Sequence, residues 1–159
     1  MAIEPPSGAQ GPDAEKERVA HRVARGVRRR LRALGYSSVT ELALLDGRRA
    51  DVVAVNAASD ILIVEIKSSV ADFRADQKWR DYRAHCDRFY FAIPQDIPPR
   101  IMPEDEGLIV ADGFDASILR EANARKLAPA TRRAVLLRFA QAAADRLHKL
   151  ADPAADWEF

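Results

Sequence analysis

Cysteine is nearly absent from this sequence, and Cys86 stands alone among 159 residues. One cysteine excludes an internal disulfide and a cysteine-built zinc site. The three histidines, His21, His85 and His148, are scattered with no spacing suited to a shared ion. No stretch approaches the ~18 uninterrupted apolar residues of a membrane span. The opening residues, Met1 to Asp13, lack both the basic start and the apolar run of a secretory signal. Charge of one sign is missing too, because 25 Lys plus Arg face 24 Asp plus Glu and leave +1. These absences predict a protein of the reducing cytoplasm with no membrane partner.

What is present suffices for one domain with a buried core, since 48% of the residues are hydrophobic. The balanced charge hides a local excess. Residues 15–34 hold seven Arg and one Lys against two Glu, so a polyanionic partner enters consideration. The first residues, 1–13, are rich in Pro, Gly and Ser and read as a flexible leader before a domain spanning 14–150. From Ala14 to Leu34, Val19, Val23, Val27, Leu31 and Leu34 recur at helical spacing, with Gly35 as the stop. Opposite that stripe, Arg18, Arg22, Arg25, Arg29 and Arg32 make one basic face, which reads either as a solvated surface or as a contact for phosphates.

Three strand-like runs follow, at Thr40–Leu45, Ala50–Val55 and Ile61–Lys67, separated by the turn-like Asp46-Gly47 and Asn56–Asp60. The third, ILIVEIK, is apolar on both faces for four residues, as a central strand covered on each side would be. Ser69 and Asp72 have capping-box spacing ahead of a second helix with the stripe Ala71, Ala75, Trp79, Tyr82 and Cys86. Trp79 reads as core. Arg88–Ile93 and Leu108–Ala111 are further strands, joined by the Pro-rich segment Pro94–Pro103, and Ile118–Arg120 adds a short edge strand. A last helix runs from Pro129 to Leu150. Residues 151–159 form an acidic tail carrying Trp157 and Phe159, read as a frayed end or as a dock for a partner protein. The order predicts an α/β fold, a mixed sheet flanked by helices on both faces.

The central hairpin holds the chemistry. A loop at Asn56–Asp60 opposes Val55 to Ile61, Val53 to Ile63 and Asp51 to Glu65. Directly opposed carboxylates have Cβ atoms ~5 Å apart and repel, so stability alone does not account for the match, and a divalent cation would. Lys67 lies two residues past Glu65 on the same face. Two carboxylates holding Mg²⁺ or Mn²⁺, with an ammonium beside them, are what hydrolysis of a phosphodiester requires. The competing reading is a Glu65–Lys67 ion pair at a strand end with Asp51 solvated nearby. Arg48 and Arg49, at the entry to the second strand, are candidate anchors for phosphates.

The stretches R49-A-D51-V-V-A-V, I-L-I-V-E65-I-K67-S-S and D-F-R-A-D-Q-K-W-R-D-Y resemble the PD-(D/E)XK nuclease superfamily, and more closely the MmcB-like DNA repair proteins within it. The resemblance covers about residues 17–150. It implies a restriction-endonuclease-like αβββαβ core, Asp51 and Glu65 as metal ligands joined by the backbone carbonyl of Ile66, Lys67 as the catalytic lysine, and DNA, with other repair proteins, as partner. A Glu that many relatives carry on the first helix falls here near Ala24, while Glu15 and Glu17 lie upstream. Glu41 is the candidate substitute, and the hairpin leaves its side open. A two-residue Asp46-Gly47 turn pairs Leu42 with Asp51 and turns Glu41 away, whereas a three-residue loop, with Leu45 opposite Arg49, brings Glu41 to the metal side. Lys78 occupies the slot of a Gln that several relatives use on the second helix. Together with Arg22, Arg25, Arg29, Arg48 and Arg49 it makes up the expected DNA-binding set. Two functions therefore stand: a metal-dependent deoxyribonuclease, and an inactive nuclease-fold module that serves repair by DNA contact alone.

Overall fold

Every residue of Ile61–Ile66 is buried. The computed structural model, which describes residues 11–155, places this segment inside a six-stranded sheet. The strands are β1 (Ser37–Ala43), β2 (Arg49–Val55), β3 (Ile61–Ile66), β4 (Arg88–Ile93), β5 (Gly107–Ala111) and β6 (Ala116–Arg120), adjacent in the order in which they occur along the chain. β1, β2 and β3 form an antiparallel meander, β3–β4 and β4–β5 pair in parallel, and β6 returns antiparallel to β5. Helix α1 (Pro12–Ala33) covers one face. Helix α3 (Pro129–Ala151) and a 3₁₀ helix (Trp79–His85) cover the other. Residues 1–10 of the expected leader lie outside the described residues, as do Trp157 and Phe159 of the expected tail, while Pro12 and Asp13 of that leader already belong to α1.

The two faces of β3 explain its unbroken hydrophobicity. Leu62, Val64 and Ile66 pack against Val23, Val27 and Leu31 of α1, while Ile61 and Ile63 join Trp79, Phe89 and Phe91 in the opposite cluster. Trp79 is core, as its spacing predicts, stacked on Phe89 and edge-on to Phe91. Fully burying each such side chain stabilises the fold by ~1.5–3 kcal/mol. Gly35 ends α1 at φ +88, a conformation open to a residue without Cβ, and the Tyr36 N–H then caps the Leu31 carbonyl at 2.9 Å.

The second helix differs from its expected form. Only Val70–Ala75 (α2) is α-helical, capped at Ser69, whose hydroxyl accepts the Asp72 N–H at 3.0 Å. The chain then leaves the helix at Asp76 (φ −88, ψ 111), whose Oδ1 accepts the Lys78 N–H at 2.8 Å before the 3₁₀ helix begins. A short polar side chain that bonds its own backbone two residues on competes with the helical ladder. The stripe of Trp79, Tyr82 and Cys86 survives because three- and four-residue steps suit both helix types.

Gly26 sits in the middle of α1, where helix propensity favours Ala by ~1 kcal/mol. A Cβ there would run into the backbone carbonyls of Asp112 and Asp115, in the turn between β5 and β6. Gly26→Ala is therefore expected to lower stability, by about 2 kcal/mol in urea unfolding, because backbone cannot rotate aside as a side chain can. A more stable variant would mean that helix and turn are not in contact.

Candidate active site

The β2–β3 register pairs Val53 with Ile63 and Val52 with Val64, so its continuation brings Asp51 to Glu65. The two strands part at this point. The Asp51 carboxylate takes the hydrogen bond that the next ladder rung would have made, accepting the Ile66 N–H at 2.8 Å. On the other side β3 stays tied to β4, with the Lys67 N–H donating to the Ala92 carbonyl at 2.9 Å. The site thus lies at the carboxyl end of a strand whose β4 neighbour is parallel, where an α/β sheet offers a crevice.

Glu41 takes the position opposite Asp51. Thr40 pairs with Val52 and Leu42 with Ala50, and the hairpin closes on Leu44 and Arg48 around a three-residue loop, Leu45–Gly47. The loop length that turns Glu41 toward the metal side is therefore the one adopted, although the pair flanking it is Leu44 with Arg48 and Arg49 lies opposite Ala43, not Leu45. Glu41 has φ +52, a left-handed conformation that costs a residue with a Cβ roughly 1–2 kcal/mol. Its Oε2 lies 2.5 Å from Arg49 Nε, an exposed pair.

Asp51, Glu65, Lys67 and Glu41 line one cavity of about 670 Å³ between the N-terminal half of α1 and the ends of β2 and β3. Burial raises the Asp51 pKa to about 6, with the nearby charge of Glu41 adding to the rise. Burial and then the charge of Asp51 raise Glu65 to about 8. Glu65 Oε2 is buried with no hydrogen-bond partner. The Lys67 side chain is 4% exposed; its Nζ lies 2.6 Å from Asp76 Oδ2 and 3.6 Å from Glu65 Oε1. Burial opposes the ammonium charge, but the Asp76 hydrogen bond and Glu65 outweigh it and hold the Lys67 pKa above its ordinary value.

A family model described as DNA repair protein MmcB-like matches residues 8–154. This chain belongs to the MmcB-like family. Among solved structures, a protein of unknown function from Silicibacter pomeroyi, SPO1766, is 44% identical with a TM-score of 0.84, covering 86% of this chain and 94% of its own. No curated protein matches. The MmcB-like fold is accordingly an α/β unit with a six-stranded mixed sheet flanked by helices, in a family with a DNA repair-related role. Among its described residues no helix is long and apolar enough to cross a membrane.

The expected DNA-binding residues of the MmcB-like chain fall into three places. Arg25 and Arg29 border a groove beside α1. Arg22 is turned toward the β5–β6 turn, over Gly113, and lies 4.0 Å from Glu15. Arg48 pairs with Asp46 at 3.3 Å and with Asp81. It lines a shallow opening on the far side of Glu65 and Lys67, together with Arg49 and Lys78. Among the described residues no group of three or more His, Cys, Asp and Glu is gathered closely enough to hold a metal ion.

Three residues bear on the site that sequence reasoning had not placed there. Asp76 holds Lys67, and its signal was the polar A-D-Q-K interruption of the apolar stripe. Glu17 lines the cavity from α1, seven residues before Ala24 and so on the same side of the helix. Asp72 accepts the Ser68 N–H at 3.2 Å and meets Lys16 of α1 at 3.0 Å, a bridge from α1 to α2 beside the cavity. No local pattern in α1 points to that pairing.

Proposed function

We propose that this MmcB-like protein is a metal-dependent deoxyribonuclease of the PD-(D/E)XK type. The supporting observation is the orphaned Oε2 of Glu65, a buried carboxylate oxygen with no hydrogen-bond partner on a group that burial and the Asp51 charge both act to protonate. Two carboxylates with an unsatisfied oxygen suit a hard divalent cation, and Mg²⁺ in particular keeps several waters and needs few protein ligands. Asp51 and Glu65 would hold the ion, with the Ile66 carbonyl beside them and Glu41 at the rim. When bound, Mg²⁺ or Mn²⁺ supplies Lewis-acid polarisation of a phosphoryl oxygen and a water of lowered pKa.

The chain's own groups do the rest. Lys67 keeps its proton because Asp76 grips it, so it presents a fixed positive charge at the carboxylates and stabilises negative charge developing on a phosphodiester. Asp51 is held by the Ile66 N–H, so its second oxygen has a fixed direction. Cleavage of a labelled DNA strand with Mn²⁺ is expected to fall about a hundredfold or more in Asp51→Asn and in Lys67→Ala. Mn²⁺ binding heat in calorimetry should disappear in Asp51→Asn and persist in Lys67→Ala. Unchanged cleavage in both variants would remove the proposal.

One observation favours a second reading, a module that binds DNA without cutting it. Among the described residues no three acidic, imidazole or thiol side chains are gathered closely enough to hold an ion together. Salt-sensitive DNA binding with no Mn²⁺ heat would select that reading.

A further inference from the structure

The carboxylate cavity does not end at α1. His21, Ala24 and Thr40 line both it and a second groove of about 530 Å³, which runs on between α1 and the edge strand β1. Arg25, Arg28 and Arg32 line that groove. The helix sets the direction: Ala20 borders the cavity, and at 1.5 Å per residue Arg32 stands ~18 Å farther along the axis.

We propose that this groove seats the sugar-phosphate backbone of a single DNA strand and leads it into the carboxylate cavity. The inference rests on the cleavage reading above and deepens it by naming the form of the substrate. Charge is the first support. Arg25 and Arg32 are exposed and make no hydrogen bond or ion pair among the described residues. Arg18 and Arg22, by contrast, lie with Glu15, at 2.7 and 4.0 Å. Arg28 is held upright by its Nε–H, which donates to Ser38 Oγ at 3.1 Å across the groove. The row from Arg25 to Arg32 covers ~10 Å of helix, enough for two successive phosphates of an extended strand.

Depth is the second support, and it separates a single strand from a duplex. The Glu65 and Lys67 side chains are 10% and 4% exposed, so a phosphodiester reaches them only by leaving the protein surface and entering between α1 and the sheet. The Lys16–Asp72 pair spans from α1 to α2 beside that entry. A lone strand can bend into such a recess. A paired strand is kept at the rim by its complement.

Fluorescence anisotropy with a labelled DNA strand of ~20 nucleotides in EDTA tests this without any metal step. Arg25→Gln/Arg32→Gln and Arg18→Gln/Arg22→Gln each remove two positive charges from the same helix. The groove pair is expected to weaken binding about tenfold and to flatten the log–log salt slope by about 1.4, two contacts at ~0.7 each. The outer pair should change affinity less than about twofold, because both side chains lie outside the groove, Arg18 against Glu15 and Arg22 turned over Gly113. Arg25→Lys/Arg32→Lys should retain most of the affinity, and an unlabelled duplex of equal length should compete about tenfold less well than the single strand. Equal losses in the two glutamine pairs, no loss in either, or a duplex that competes equally would each overturn the inference. Loss of Mn²⁺ binding and of cleavage, by contrast, would strike only the reading on which it rests and would leave this strand-binding result standing.

Discussion

Glu65→Gln is expected to stabilise the metal-free protein at pH 8.5 while removing its binding of divalent cations. The wild-type carboxyl is a buried acid whose pKa in the folded protein, about 8, stands above its ordinary 4.5. Between those values the unfolded chain has released the proton and the folded chain still holds it. Protons therefore favour the folded state, and stability falls as pH rises through the window. At ~1.4 kcal/mol per pKa unit over the ~3.5 units between those values, the loss by pH 8.5 is on the order of 5 kcal/mol. Gln mimics the protonated acid and keeps its shape, so the variant escapes that decline. For a domain of this length the difference corresponds to a Tm roughly 15 °C higher than wild type at pH 8.5, with the two proteins nearly matched at pH 5. Millimolar Mn²⁺ should close the gap by raising only the wild type. Parallel pH profiles for the two proteins would show that Glu65 carries no such penalty and would take away the reason for a cation there.

Asp87→Ala is expected to cost about 4 kcal/mol, lowering Tm by roughly 10 °C. Asp87 is buried at the start of β4 and joins four parts of the chain. Its Oδ2 accepts the Ile61 N–H at 2.7 Å and its Oδ1 the Leu127 N–H at 3.4 Å. Arg132 of α3 forks onto the carboxylate through bonds of 2.7 and 2.6 Å. Burial alone would lift the Asp87 pKa, but Arg132 and these N–H groups outweigh it and hold the carboxyl below the usual range. Truncation strands a buried Ile61 N–H and unpairs Arg132, two costs that add to the loss of the bonds themselves. Asp87→Asn keeps an acceptor for Ile61 and is expected to lose about half as much. The two variants, compared by urea unfolding, separate the charge from the hydrogen bonds; equal losses in both would assign the whole effect to the charge. Because Ile61 begins the strand that carries Glu65 at its far end, this joint also fixes the axial position of the site. A loosened β3 should reduce cation binding before the protein unfolds.

These residues show how far the sequence carries. The alternation in β2 and the continuous apolar run of β3 are consequences of side chains pointing to opposite faces every second residue, so the strands, their central place and the meander could be read directly. The opposition of Asp51 and Glu65 followed from the same arithmetic, since a five-residue loop at Asn56–Asp60 sets Val55 against Ile61 and Val53 against Ile63 and carries the count on to the two carboxylates. The basic face of α1 was likewise a matter of 3.6-residue periodicity.

Other features needed the folded chain. Whether Glu41 met Asp51 turned on one residue of hairpin length, and the loop that closes Leu44 onto Arg48 is set by packing and backbone bonds rather than by pattern. Asp76 broke the second helix and captured Lys67, nine residues earlier, because a chain reversal placed them together. The division of the arginines, with Arg25 and Arg32 along a groove and Arg22 turned toward another loop, depended on how α1 rolls on the sheet. Local spacing fixes which residues share a face of their own element. Which element that face meets is decided by packing between segments distant along the chain, and there the candidate site of this protein acquires its depth, its charge partners and its approach.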